Sequence, residues 1–142
     1  MNMIRNIALF LLALVAFPLV ANDANCADNF QFVGRHLIAQ YYDCDPSALE
    51  NVKMVSQKMR EAVKASGAHL LKESEYFFPP NAMTMVLLLS ESHASIHTYP
   101  EHRACFVDLF TCGVTCSAEK FDAVLRDYLK PGRVESNIIA RK

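Results

Sequence analysis

Apolar and polar positions change period several times along the 142 residues, and each change marks an element. From Phe32 to Cys44, the residues Val33, Leu37, Ile38, Tyr41 and Tyr42 favour extended chain, although Gly34 and Arg35 interrupt the run. This predicts a first strand. Asp45-Pro46-Ser47 then has the character of a helix entry, and Leu49, Val52, Met59 and Val63 recur at helical spacing until Gly67 offers a stop. The opposite face, from Glu50 and Lys53 to Glu61 and Lys64, reads as solvated surface.

Ala68 to Leu71 begins a short strand, and Pro79-Pro80-Asn81 punctuates the chain. Met83 to Leu89 is nearly continuous in apolar residues, which predicts a strand buried on both faces. Ala94–Tyr99 and Ala104–Thr111 are two further extended segments that Pro100-Glu101-His102 can join as a hairpin. Ser117 precedes Ala118, Phe121, Val124, Leu125 and Tyr128, an amphipathic helix closed by Lys130-Pro131-Gly132; Val134 to Ala140 adds a last strand. The order predicts an α+β two-layer sandwich, a largely antiparallel sheet with two helices on one face. The other face is then free to receive a partner subunit.

The first residues change this picture only at the margin. Arg5 precedes the apolar run Ile7–Val20, and Leu19-Val20-Ala21 offers a small residue before a polar stretch. The run is shorter than the roughly 20 residues that cross a bilayer as a helix. Residues 1–21 therefore read as a signal-peptide-like segment for export or tethering, touching membrane only if uncleaved, with residues 22–142 as one domain. Lys plus Arg number 14 against 15 for Asp plus Glu, which leaves no basic stripe to neutralise nucleic-acid phosphates. A small-molecule ligand is the better expectation. The five cysteines, at 26, 44, 105, 112 and 116, are an odd number, so at least one thiol stays reduced or pairs between chains. Cys112 and Cys116 are near enough in sequence to pair in an oxidising compartment.

The chemistry concentrates in Ser90-Glu91-Ser92-His93-Ala94-Ser95-Ile96-His97-Thr98-Tyr99-Pro100-Glu101 and in Asp108-Leu109-Phe110-Thr111-Cys112-Gly113. A serine hydroxyl can attack the carbonyl that precedes it, and the ester so formed breaks once a base removes the serine Cα proton. Strain, an oxyanion donor and a base promote this. Taken singly, Ser92 reads as a turn residue, His97 as a structural histidine, Cys112 as a small buried hydrophobe and Phe78 as core.

Together with Gly34-Arg35-His36-Leu37, Tyr42-Asp43-Cys44-Asp45 and Ser66-Gly67-Ala68, these motifs closely resemble the small bacterial and archaeal S-adenosylmethionine decarboxylase proenzymes. The resemblance implies self-cleavage between Glu91 and Ser92, into a β chain of residues 22–91 and an α chain of residues 92–142. Ser92 would become a covalently bound pyruvoyl cofactor, an electron sink that condenses with a substrate amine. It further implies His97 as the processing histidine, Cys112 as proton donor, Thr84 where the family has a serine that assists processing, and Phe78 and Glu101 as contacts to adenine and ribose. A cytoplasmic homodimer of processed αβ units, making the aminopropyl donor for spermidine synthesis, is the family's pattern.

Three alternatives remain at this level. One is a pyruvoyl-dependent decarboxylase of ornithine or arginine, which an exported protein would meet more readily than S-adenosylmethionine. Another is an unprocessed regulatory paralogue. A metal module from His93/His97 and Cys112/Cys116 is disfavoured, because extended chain separates positions four apart by roughly 13 Å.

Overall fold

A computed structural model describes residues 30–142; the targeting-like segment and Cys26 lie outside the described residues. Six strands form one antiparallel sheet: β1 (Phe30–Tyr42), β2 (Leu70–Phe78), β3 (Ala82–Leu89), β4 (Ser92–Tyr99), β5 (Ala104–Gly113) and β6 (Arg133–Arg141). Their spatial order is β2-β3-β4-β5-β1-β6. The helices are α1 (Pro46–Glu50), α2 (Val52–Ser66) and α3 (Ala118–Leu129). This is the expected α+β sandwich, with α2 and α3 packed together over one side of the sheet.

Side-chain alternation decides which side is covered. Met83, Met85, Leu87 and Leu89 of β3, Ala94 and Ile96 of β4, and Cys105, Val107 and Leu109 of β5 are buried. They meet Val55, Met59, Ala62 and Val63 of α2 and Phe121, Leu125 and Leu129 of α3 in one core. Tyr41 is fully buried there too, and its hydroxyl donates to Asp122 at 2.5 Å. Burial, reinforced by the Asp122 carboxylate, holds that hydroxyl well above its ordinary pKa.

Three expectations need correction. β3 is not buried on both faces: Val86 and Leu88 are 45% and 48% exposed, because no helix among the described residues covers the second face of the sheet. The first helical segment is two helices. Asn51 takes a non-helical conformation between α1 and α2, and its side chain accepts from the Met54 amide, capping the second helix. The short strand at Ala68–Leu71 is instead β2, which starts at Leu70 and runs to Phe78 with all nine residues exposed. As an edge strand it presents no buried face, and it is tied down by its ladder to β3 and by Arg60 of α2, whose Nε and Nη2 donate to Glu73 at 2.8 and 2.6 Å. Gly67 ends α2 in the left-handed region at φ 86°, where glycine carries no steric penalty.

Burial rather than surface ion pairing therefore joins the layers. Phe121→Ala is expected to cost about 3–5 kcal/mol in denaturant unfolding. Arg35→Ala breaks the exposed Arg35–Glu119 pair between β1 and α3, at 2.7 Å, and should cost less than about 1 kcal/mol. Equal losses would contradict this division.

Candidate active site

Leu89 pairs with Ser92 across the β3–β4 hairpin, so Ser90 and Glu91 form a two-residue loop. Such loops ordinarily place positive φ inside the loop, where Gly or Asn supplies it. Here the positive φ falls on Ser92, at 151°, a region costing a non-glycine residue of order 1–3 kcal/mol. The backbone strain therefore sits at the second residue of the Glu91–Ser92 bond.

Neighbouring chain holds the loop against this strain. The Ser90 amide donates to the His69 carbonyl at 3.0 Å, and the His69 amide donates to Glu91 Oε2 at 2.9 Å. His69 Nδ1 lies 2.7 Å from Glu91 Oε1. Most consequentially, the Cys112 amide donates to the Glu91 carbonyl oxygen at 3.0 Å. That donor is aimed at the oxygen that would become negative if a nucleophile attacked this carbonyl. Gly113 makes the approach possible: a Cβ there would lie 2.9 Å from Glu91 Cγ and 2.7 Å from Cys116 Sγ.

Burial alone would raise the pKa of the Glu91 carboxyl. Hydrogen bonds from the His69 backbone and ring and from Ser90 outweigh it and leave the group below its ordinary value.

The remaining candidates are divided between two places. Ser92, Glu91 and Cys112 meet at the start of β4 and the end of β5, where Ser92 is the cross-strand partner of Thr111. His97, Thr84, Phe78 and Glu101 gather at the opposite end of β4. Thr84 Oγ1 hydrogen-bonds His97 Nδ1, whose ring lies 4.5 Å from Tyr99 and 5.9 Å from Phe78 between centroids. Phe78, Pro80, His97, Tyr99 and Glu101 line a cleft of about 370 Å³. A larger hollow of about 540 Å³ beside Asn51, Lys58 and Tyr128 contains none of the candidate site residues. Five residues of extended chain put His97 roughly 16 Å from Ser92. The structure thus does not bring His97 to the serine of its own chain.

The second place, and His93 and Cys112 beside the first, lie on the uncovered sheet face. Cross-strand rows there read Leu88–His93–Phe110–His36–Ile139, Val86–Ser95–Asp108–Ile38–Asn137 and Thr84–His97–Phe106–Gln40–Glu135. Cys112 is a free, half-buried cysteine at the edge of this face. His93 and His97 both lie on β4, which keeps them apart as the extended pattern predicts, and among the described residues no three His, Cys, Asp or Glu side chains converge as a metal site. Sequence reasoning missed two contributors, His69 and the Cys112 amide. The first lies 22 residues from Glu91, just past the Ser66-Gly67-Ala68 motif, and the second is a backbone group visible only through the β4–β5 pairing.

Comparisons with known proteins agree with this fold. Residues 35–142 match the family model for S-adenosylmethionine decarboxylase. The chain is 43% identical over 102 residues to the S-adenosylmethionine decarboxylase proenzyme of Thermosipho africanus, covering 72% of this chain and 78% of that protein. It is 39% identical over 103 residues to the proenzyme of Methanococcus aeolicus, covering 72% and 88%. The crystal structure of the Aquifex aeolicus adenosylmethionine decarboxylase superposes with a TM-score of 0.70 at 31% identity, over 80% of this chain and 91% of that one. Fold and matches define a small, single-sheet carboxy-lyase. The chain belongs to the S-adenosylmethionine decarboxylase family, in its small prokaryotic proenzyme type.

The depressed Glu91 pKa sets a sign for the pH dependence. A carboxyl whose folded pKa lies below its unfolded value near 4.3 contributes stability that is complete above that value and lost as pH falls through the folded one. Glu91→Gln should therefore cost on the order of 1 kcal/mol at pH 7 and flatten the acid limb of a pH–stability profile. An unchanged acid limb would show that His69 does not hold the carboxylate.

Proposed function

We propose that the protein is an S-adenosylmethionine decarboxylase that cleaves its own backbone between Glu91 and Ser92 and serves spermidine synthesis. The observation that carries the reading is the pairing of a positive-φ Ser92 with a Glu91 carbonyl already on the Cys112 amide. Attack of Ser92 Oγ on that carbonyl moves the acyl group from nitrogen to oxygen, and the hydrogen bond from Cys112 strengthens as charge develops on the Glu91 oxygen. Loss of the Ser92 Cα proton then expels Glu91 as a carboxylate, ending a β chain of residues 22–91. Hydrolysis of the dehydroalanine left at position 92 releases ammonia and leaves pyruvoyl at the head of the α chain, residues 92–142.

The residues present fit that group. It would stand at the start of β4, with the Cys112 amide and thiol beside it and no bulky side chain at Gly113. Its carbonyl supplies the electron sink on which a substrate amine is held while carbon dioxide leaves. Cys112 donates the proton that replaces the carboxyl group on the substrate carbon. In the 370 Å³ cleft, Phe78 offers a ring to adenine and Glu101 a carboxylate to ribose hydroxyls; the volume lies in the range of small-molecule sites.

The separation of His97 from Ser92 supports a homodimer. A two-fold axis between two open sheet faces and perpendicular to β4 reverses that strand, laying the His97 end of one copy over the Ser92 end of the other. Val86, Leu88, Ile38 and Phe106, each more than a third exposed, supply the apolar area for such a contact. His97 and Thr84 of the partner subunit then assist breakdown of the ester, and the partner's Phe78 and Glu101 complete the substrate site.

Purified protein is expected to comprise two chains split at Glu91–Ser92 and to release carbon dioxide from S-adenosylmethionine, whereas Ser92→Ala stays whole. Efficient cleavage of Ser92→Ala at this bond would remove the serine mechanism, and turnover of ornithine or arginine instead would change the substrate.

Mixing tests the shared site. His97→Ala alone should stall as a hydroxylamine-sensitive ester, and co-folding it with Ser92→Ala should restore its cleavage, because the second chain provides the imidazole. No restoration in mixed dimers would place His97 and Ser92 in one subunit.

A further inference from the structure

His93 sits inside the Ser90–Glu101 motif, yet the proposed reaction leaves it without a task. It is the imidazole that touches the reacting serine: Ser92 Oγ lies 3.1 Å from His93 Nδ1. His97 is about 16 Å along the strand and is engaged by Thr84. The His93 ring is exposed but has aromatic neighbours on the sheet. It packs against Phe110 at 5.7 Å and edge-on to His36 at 6.5 Å, and His36 Nε2 lies 3.4 Å from Asp108 Oδ1 on the same sheet face.

We propose that His93 is the catalytic base that opens self-processing, taking the Ser92 hydroxyl proton during the acyl shift and returning it to the Ser92 nitrogen. The assignment rests on the self-cleaving reading above. In the neutral imidazole with its proton on Nε2, Nδ1 accepts the hydrogen bond from Ser92. As the Oγ–C bond to the Glu91 carbonyl forms, the proton passes to Nδ1, giving an imidazolium beside a tetrahedral centre whose oxygen is held by the Cys112 amide. As the C–N bond breaks, the same proton moves to the departing Ser92 nitrogen. The step is an isomerisation of the peptide to an ester. It consumes no co-reactant and leaves His93 neutral again.

The two histidines then divide the work. His93 acts within the chain, before the ester exists, and His97 acts on the ester afterwards. The division follows from position: Ser92 cannot lose its proton to a group a strand's length away, whereas ester breakdown can await assembly of the second copy. Neighbouring residues on a strand ordinarily point to opposite faces, and the φ of 151° at Ser92 accompanies the departure that brings Oγ to His93.

The test follows cleavage of full-length chains made by cell-free synthesis, using intact mass with and without hydroxylamine. General-base assistance is commonly worth 10²- to 10⁴-fold, so His93→Ala and His93→Gln should each process at least about 100-fold more slowly than the parent. His93→Gln keeps polar bulk and an accepting oxygen but no titratable base, and thermal melting near the parent's value checks its fold. Both should persist as peptide that hydroxylamine does not cut, in contrast to His97→Ala, and imidazole should partly restore His93→Ala. Parental rates in the folded glutamine variant, or a hydroxylamine-sensitive ester in either variant, would overturn the assignment. A parent that never splits would remove the proposed function and this assignment together; a parent that splits alongside variants that keep pace would remove this assignment alone.

Discussion

Burial of one sheet face beneath α2 and α3, with the other left uncovered, is the constraint on which this molecule depends. Alternation along β3, β4 and β5 sends Met85, Leu87, Ile96, Val107 and Leu109 under the helices. The same alternation places Thr84, His93, His97, Asp108 and Cys112 on the open side, so chemistry and core occupy the same strands without competing. A sheet of this kind positions functional groups on a rigid ladder rather than on loops. It also leaves apolar area in water until another surface covers it.

The strain at Ser92 is tolerable only because that ladder surrounds it. A two-residue loop lacking Gly or Asn has no relaxed primed turn available, and the unusual φ is displaced onto the first residue of β4. His69 from the segment before β2, and Cys112 and Gly113 from the end of β5, clamp the loop from two directions. The clamp also aims an amide at the Glu91 carbonyl, so one set of contacts both holds the strain and, under the proposed self-cleavage, would prepare the bond for attack. A freely relaxing loop would lose both.

Much of this was legible in the chain, and the failures have physical causes. β1, the β4–β5 hairpin, α3 and β6 announce themselves by period, caps and turn residues, since each buries a face or ends on a strong signal. β2 does not: Lys72-Glu73-Ser74-Glu75 carries no alternation because neither side of this edge strand is buried. The continuous apolar run of β3 implied two covered faces where the described residues cover only one. Residue types at the site could be read from the Ser90–Glu101 and Asp108–Gly113 motifs. Their division into two clusters could not, because motif spacing measures sequence and a strand converts five residues into a distance no side chain crosses. His69 was hidden for the converse reason, being distant in sequence and adjacent in space.

Under the proposed function, strain and the oriented Cys112 amide at Glu91–Ser92 turn Ser92 into a reactive carbonyl. Mass spectrometry of the fragment starting at residue 92, after treatment with a hydrazine that labels ketones, tests this most directly. A blocked N-terminus that takes one label is expected; a fragment starting with serine and a free amino group, unlabelled in protein that still releases carbon dioxide, would rule this conversion out.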